Sequence, residues 1–327
     1  LHLDNRRGIY PYRDWVVTAL NNNLPLDEFI VWQLAGDLLP SPTLEQRVAT
    51  GFVRMNPSTA EGGAIPAEFQ AKNNFDRTET LGTVFLGMSL TCARCHTHKY
   101  DPIPQNEYYR LLAFFNSTAE HSMDGNKYEY GPVVKAPANV AAWQAWNQLE
   151  RDREHLVTQV GKKVKDLDGA DDALLAQWKQ TSPADRLAMV ADPNGIFAQL
   201  DAHKRAVELG EKIATAEKSF TITLVAEDLP KPRTTQLLTR GEYNLPTGKP
   251  LDPGILTVMS AFPQNAPRNR LGLARWLTAR NHPLVARVLI NQIWQRTFGD
   301  GLVRTPEDFG LQGQQPTHPR LLDWLAV

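Results

Sequence analysis

The sequence has almost no cysteine, with two in 327 residues. That excludes a disulfide-dense scaffold. It has no apolar run approaching the ~18 residues of a membrane span, so no transmembrane helix is expected in it. It lacks an excess of either charge: Lys+Arg is 35, Asp+Glu is 36, and the net charge is −1. Proteins that grip nucleic acid through its phosphates usually carry a basic excess, so nucleic acid is not an expected partner. No internal repeat and no low-complexity tract occurs. What is present is a globular composition, 42% hydrophobic and 22% charged, which supports a packed core and excludes wholesale disorder. The length suits two domains at roughly 150 residues each. Both ends read as those of a fragment. Leu1–Gly8 shows no basic start followed by an apolar stretch, and the other end stops inside the apolar helical pattern Leu321–Val327. The missing signal peptide therefore says nothing about export.

The expected fold is mainly α. Pro11 and Pro25 suit helix first turns, where a missing N–H costs nothing. Trp15, Val16, Ala19 and Leu20 share one helix face; Phe29, Ile30, Gln33, Leu34 and Asp37 continue a second. Thr43 and Gln46 have capping-box spacing. A Gly-rich loop, Ser58-Thr59-Ala60-Glu61-Gly62-Gly63, precedes a helix opened by Pro66 that carries Phe69, Leu81, Val84, Phe85 and Met88. Another helix, with Tyr108, Leu111, Leu112 and Phe115, follows the Asp101–Pro104 turn. From Trp143 to Leu167 apolar residues recur at helical spacing, and a second helical stretch covers residues 196–216. The two are expected to pair as a helical hairpin. Phe220–Val225 and Thr234–Leu238 read as strands, residues 246–254 as an extended linker, and Leu271–Ala279 and Val285–Phe298 as helices. The expected units are a haem domain over 1–135, the hairpin over 136–218, a short β segment and linker over 219–258, and the start of a second helical domain over 259–327.

The haem expectation comes from Cys92-Ala93-Arg94-Cys95-His96, which uses both cysteines. Cys-x-x-Cys-His is the attachment sequence of c-type haem. Two thiols one turn apart add to the two vinyl groups along a porphyrin edge, and the following His96 binds the iron. The expected cofactor is one covalent haem c. Three other readings compete. A zinc site could use Cys92, Cys95, His96 and His98, although structural zinc usually takes ligand pairs from separated segments. A thioredoxin-like redox pair needs a βαβ context, and these surroundings are helical. A plain disulfide or two buried thiols is the third.

The stretch Leu90–Ile103, followed by Tyr108-Tyr109 and Ala113-Phe114-Phe115-Asn116, resembles the planctomycete cytochrome c-type domain. Tyr12–Val16, Gln33–Pro40, Glu61-Gly62-Gly63 and Asp76-Arg77-Thr78 extend the likeness. A second planctomycete-specific domain is resembled by Leu273–Leu277, Asn291, Trp294, Phe298-Gly299, Pro306–Gly310, His318-Pro319 and Leu322–Leu325. The likeness covers about residues 9–118 and 259–327. It implies an exported haem protein of the periplasm or cell envelope, and c-type haem is attached after export. It does not supply a reaction. Such proteins are associated with bacteria rich in polysaccharide-degrading enzymes and sulfatases. The implied role is therefore electron transfer or haem-dependent oxidation, with a redox partner protein or an extracellular substrate such as a carbohydrate. The alternative is a non-catalytic binding or surface-assembly protein with haem as a covalent staple; a zinc-stabilised module is third. No catalytic residue is assigned.

The sixth iron position separates these roles: Met or His makes an electron carrier, and an open position permits oxygen or peroxide chemistry. The candidates are Met88, His121, Met123 and His318. Met88 also suits helix core, His121 a solvated loop, and His318 a cap before Pro319. His98 is too close to His96 to reach the opposite face and is expected at a haem propionate, at a second ion or in packing. Arg94, Lys99 and Arg77 are candidate propionate partners or solvated charges. Glu61-Gly62-Gly63 is either a close backbone approach to a ligand or a turn. Asp76 and Glu79 are either an acid/base pair or surface charges paired with Arg77. Trp276, Trp294 and Trp324 are expected in core packing.

Overall fold

The computed structural model describes residues 8–327 except 58, 60, 124–130 and 168. Ser58 and Ala60 of the Gly-rich loop thus lie outside the described residues, as does most of Leu1–Gly8. The fold is mainly α-helical, with a few short antiparallel strands. In chain order the elements are α1 (Tyr10–Asn21), α2 (Leu26–Ala35), α3 (Leu44–Ala49), α4 (Pro66–Leu81) and α5 (Gln105–Leu112). Then come β1 (Val133–Ala136), α6 (Val140–Gly161), α7 (Asp172–Gln180), α8 (Pro183–Ala191), α9 (Ala202–Glu217) and β2 (Thr221–Leu224). β3 (Leu237–Leu238), β4 (Pro246–Thr247), α10 (Arg270–Leu277), α11 (Val285–Phe298) and α12 (Pro319–Leu325) complete the chain. No helix among the described residues is long and apolar enough to cross a membrane.

Two main cores share the N-terminal helices. α2 is apolar on most sides, as a helix packed from two directions must be. Ile30 and Leu34 enter one core with Phe75 and Leu81 of α4, Tyr108 and Leu111 of α5, and Leu271, Leu273, Trp276 and Leu277 of α10. Phe29 and Trp32 face the other, where Trp15 of α1 and Val48 of α3 meet Trp143, Trp146, Leu156 and Val160 of α6. Residues from both ends of the sequence therefore form one core. Arg270 ties them: it is fully buried, bonds both carboxylate oxygens of Asp37 at 2.9 and 2.6 Å, reaches Asp228 at 2.9 Å and donates to the Leu34 carbonyl at 2.8 Å.

The 136–218 segment leaves and returns at one place. β1 and β2 pair antiparallel, with Val133 opposite Leu224 and Ala136 opposite Thr221. Among the described residues this segment holds four α-helices rather than the two of a hairpin. α6 stops at Gly161, where a Cβ would lie 3.0 Å from the Trp178 indole nitrogen of α7. Asp171 caps α7, and Ser182 before Pro183 caps α8. Of the stretch expected as a strand at Thr234–Leu238, only Leu237-Leu238 pairs, with Thr247 and Pro246. Thr234 and Thr235 instead accept hydrogen bonds from the Asn116 amide at 3.2 and 2.9 Å.

The Thr43–Gln46 capping box is present, with both reciprocal bonds. Other side-chain expectations change. Leu20 is half exposed, because α1 turns its Trp15–Ala19 face inward. Trp276 is fully buried and Trp294 packs on the small core of Leu302, Val303 and Leu322, but Trp324 is 74% exposed and is not core.

Candidate functional site: the Cys-x-x-Cys-His turn

α4 delivers the chain to the motif. Past Leu81 it continues as one π-helical turn over residues 82–86 and stops at Gly87, whose left-handed φ of 58° ends the helix. Met88 thus lies beyond the helix, and it is buried in the main core. Thr91–Arg94 form a 3-10 turn, closed by bonds from the Cys95 and His96 amides to the Cys92 carbonyl at 3.3 and 3.4 Å.

Side chains of α4 and α5 hold this turn. The Glu79 carboxylate accepts from the Thr91 hydroxyl at 3.1 Å and the Tyr108 hydroxyl at 3.0 Å, and lies 3.6 Å from Arg94 Nε. The Arg94 carbonyl accepts from Tyr109 at 2.9 Å and from the Gln105 amide at 3.1 Å. The Arg94 guanidinium lies 4.9 Å over the Phe75 ring. Burial, and then the neighbouring Glu79, pushes the Tyr108 hydroxyl above its ordinary pKa; burial, and then Cys95, does the same for Tyr109. Both phenols therefore stay protonated and remain donors. The peptide between Arg94 and Cys95 is fixed, and with it the directions of Cys95 and His96.

Cys92 and Cys95 are both exposed free thiols. His96 is exposed, and its Nδ1 lies 2.7 Å from the Thr97 carbonyl. A carbonyl only accepts, so the Nδ1 side of the ring donates here and Nε2 is the nitrogen left for a metal. Two exposed thiols one turn apart and an exposed imidazole fit the donor set of a c-type haem. Haem, if present, would be held by Cys92, Cys95 and His96.

His98 does not join them. Its Nδ1 accepts from the Asp101 amide at 2.9 Å, which closes the 98–103 loop. Among the described residues, no group of three or more His, Cys, Asp or Glu side chains is placed to hold a metal ion. The zinc cage of Cys92, Cys95, His96 and His98 is therefore not assembled. The same loop is bound to the C-terminal part of the chain, where Asp101 Oδ1 accepts from the Leu311 amide at 2.7 Å, and the end of the π-turn is bound there too, with the Gly87 carbonyl accepting from the Phe309 amide at 2.7 Å.

The other candidates scatter. His121 is exposed and Met123 is half-buried. His318 is the N-cap residue of α12, yet its ring makes no capping bond and sits beside the Thr317 hydroxyl at 3.1 Å. Lys99 is exposed, 5.1 Å from the Tyr100 ring. Arg77 is not at the site: it is buried, paired with Glu120 at 2.5 Å and bonded to the Val53 carbonyl, Thr118 and Asn56. Burial pushes the Glu120 carboxyl up, but the Arg77 and Arg54 cations outweigh it and lower its pKa. Glu79 serves the turn, and burial raises the pKa of Asp76. Glu61-Gly62-Gly63 form an exposed turn, closed by the Ala64 amide on the Glu61 carbonyl.

Sequence reasoning missed the segment around Arg240. The Cys95 thiol donates to the Arg240 carbonyl, with sulfur and oxygen 3.2 Å apart across 145 positions of sequence. No local pattern announces such a contact; the left-handed backbone at Arg240 and Gly241 is its only trace.

Fold and site together define a mainly helical protein with an exposed Cys-x-x-Cys-His turn fastened between its two ends. Residues 1–120 match the model of a family described as PSCyt2, protein of unknown function (DUF1549). Residues 269–327 match PSD1, protein of unknown function (DUF1553). The pair fits the two-domain description that the sequence resemblance implied, in the same order. No curated protein and no solved structure matches the chain.

Proposed function

We propose that this chain is part of an exported c-type haem protein of the periplasm or cell envelope, acting in electron transfer or haem-dependent oxidation. The observation that carries the reading is the turn itself: both thiols are exposed and free, and His96 is exposed with its Nδ1 engaged by the Thr97 carbonyl, which leaves Nε2 for iron. Cys92 and Cys95 anchor the haem edge, and His96 is the iron ligand. When bound, haem supplies an iron that changes oxidation state. The chain's own part is to hold the turn: Gln105 and Tyr109 fix the Arg94 carbonyl, and Glu79 ties Thr91 and the Arg94 side chain. The partner is a redox protein or an extracellular substrate, and the family resemblance points to carbohydrate as the substrate class.

One observation favours a second reading, in which the haem is a structural staple. The loop after the motif is bonded to Leu311, so a group attached there would brace both ends of the chain. The test for haem is expression in a host with c-type haem attachment machinery. The denatured chain should keep the mass of one haem and show a Soret band; a haem-free product would end both readings. Rapid cyanide binding by the oxidised protein, or carbon monoxide binding by the reduced one, supports oxidation chemistry at an open iron. Failure of both supports a six-coordinate carrier or a staple. His96→Ala should keep covalent haem but change its coordination spectrum, and an unchanged spectrum would refute the role of His96.

A further inference from the structure

Among the described residues, one of the two thiols, Cys95, hydrogen-bonds a distant part of the chain. The β3–β4 hairpin turns at Thr239–Gly241. Arg240 there has φ 54° and ψ 25°, an uncommon conformation for a residue with a Cβ. Gly241 follows with φ 73°. The Arg240 carbonyl accepts the Cys95 thiol at 3.2 Å. A Cβ at Gly241 would sit 3.4 Å from Cys95 Sγ and 2.9 Å from Arg94 Cγ, so the bare glycine is what lets the turn rest there. Tyr109, whose hydroxyl holds the Arg94 carbonyl, has the Leu238 carbonyl 3.5 Å away on the same hairpin. Cys92 has no hydrogen bond to its sulfur among the described residues.

We infer that the two thiols are unequal: the Arg240–Gly241 turn is a latch on Cys95, so Cys92 reacts first and the latch lifts when Cys95 is covalently modified. The S–H···O bond exists only while Cys95 keeps its proton. Adding the thiol across a vinyl double bond puts sulfur on one carbon and the thiol hydrogen on the other, with nothing released. The sulfur then carries a carbon in place of its hydrogen, and the Arg240 carbonyl loses its donor. For haem, which rests on the reading above, the consequence is an order of attachment and a hairpin that changes conformation when attachment is complete.

The latch is testable without haem, so its failure and that of the haem reading are distinguishable. The reduced chain is treated with iodoacetamide; sulfur displaces iodide, the thiol proton goes to buffer, and each cysteine is followed by peptide mass. A weak hydrogen bond with its packing slows a reaction about threefold to tenfold, so Cys92 is expected to be alkylated faster than Cys95 by that factor. In Gly241→Ala the added Cβ pushes the turn off Arg94 and Cys95, and the ratio should close toward one through a faster Cys95. Hydrogen exchange gives a second readout in the unaltered chain: amides of residues 239–245 should lose protection after Cys95 is alkylated and keep it while only Cys92 is. Equal alkylation rates in the unaltered chain, or hairpin protection indifferent to Cys95 alkylation, would overturn the latch.

Discussion

Replacing Arg270 by Met tests whether the two ends of the chain form one folding unit. Met keeps an unbranched stem of similar length and removes the guanidinium. The structure sets the consequence: four hydrogen bonds are lost, to Asp37 twice, to Asp228 and to the Leu34 carbonyl. Two carboxylates that are 7% and 19% exposed are left without a cation. Breaking a buried ion pair by deleting one partner costs about 3–5 kcal/mol. With a urea slope of about 3 kcal/mol per molar, the midpoint followed by circular dichroism should fall by about 1–1.7 M. Burial already raises the Asp228 pKa against the pull of Arg270. Without the cation Asp228 takes a proton more readily, so the deficit should narrow as pH falls toward 4. Adding Asp37→Leu and Asp228→Leu removes the stranded charges and should recover most of the loss. A midpoint shift under about 0.3 M, or a triple variant no better than the single one, would refute the reasoning.

His282 gives a second pH test. Its Nδ1 accepts the Leu284 and Val285 amides at the start of α11, and burial lowers its pKa from 6.5 to about 4. Between those values the unfolded chain binds the proton and the folded one does not. The contribution is therefore complete above pH 6.5 and lost as pH falls toward 4, by about 3 kcal/mol in all. Stability measured between pH 7 and 4 should fall less steeply in His282→Asn, and parallel slopes would sink the assignment. Gly87→Ala places a Cβ 2.8 Å from Phe309 and 2.9 Å from Val288 at φ 58°. It should cost about 2 kcal/mol or more, read as a lower thermal midpoint, and a neutral result would mean that Phe309 does not pack there as described. Trp324→Ser, at a site 74% exposed, should shift stability by less than about 0.5 kcal/mol.

Local signals were legible where the chemistry is local. The Thr43–Gln46 capping box, the β2 strand and the bounds of α11 at Val285–Phe298 follow from spacing and residue type. The helices α7 and α8 had signals too, in the caps Asp171 and Ser182-Pro183. Trp324 could not be placed from its neighbours, because an apolar residue at helical spacing is core only if another element covers it.

The sequence alone determined a mainly helical chain and one motif, because helix periodicity, caps and the Cys-x-x-Cys-His spacing each act within a few residues. The tertiary structure decided the rest. Arg270 meets Asp37 and Leu34, Leu311 meets Asp101, and Arg240 meets Cys95 across more than a hundred positions. Such contacts are chosen by burial and by the demand that buried polar groups find partners. That demand is satisfied by whichever residues the packed helices bring near, and no pattern within a short window reveals which ones they are.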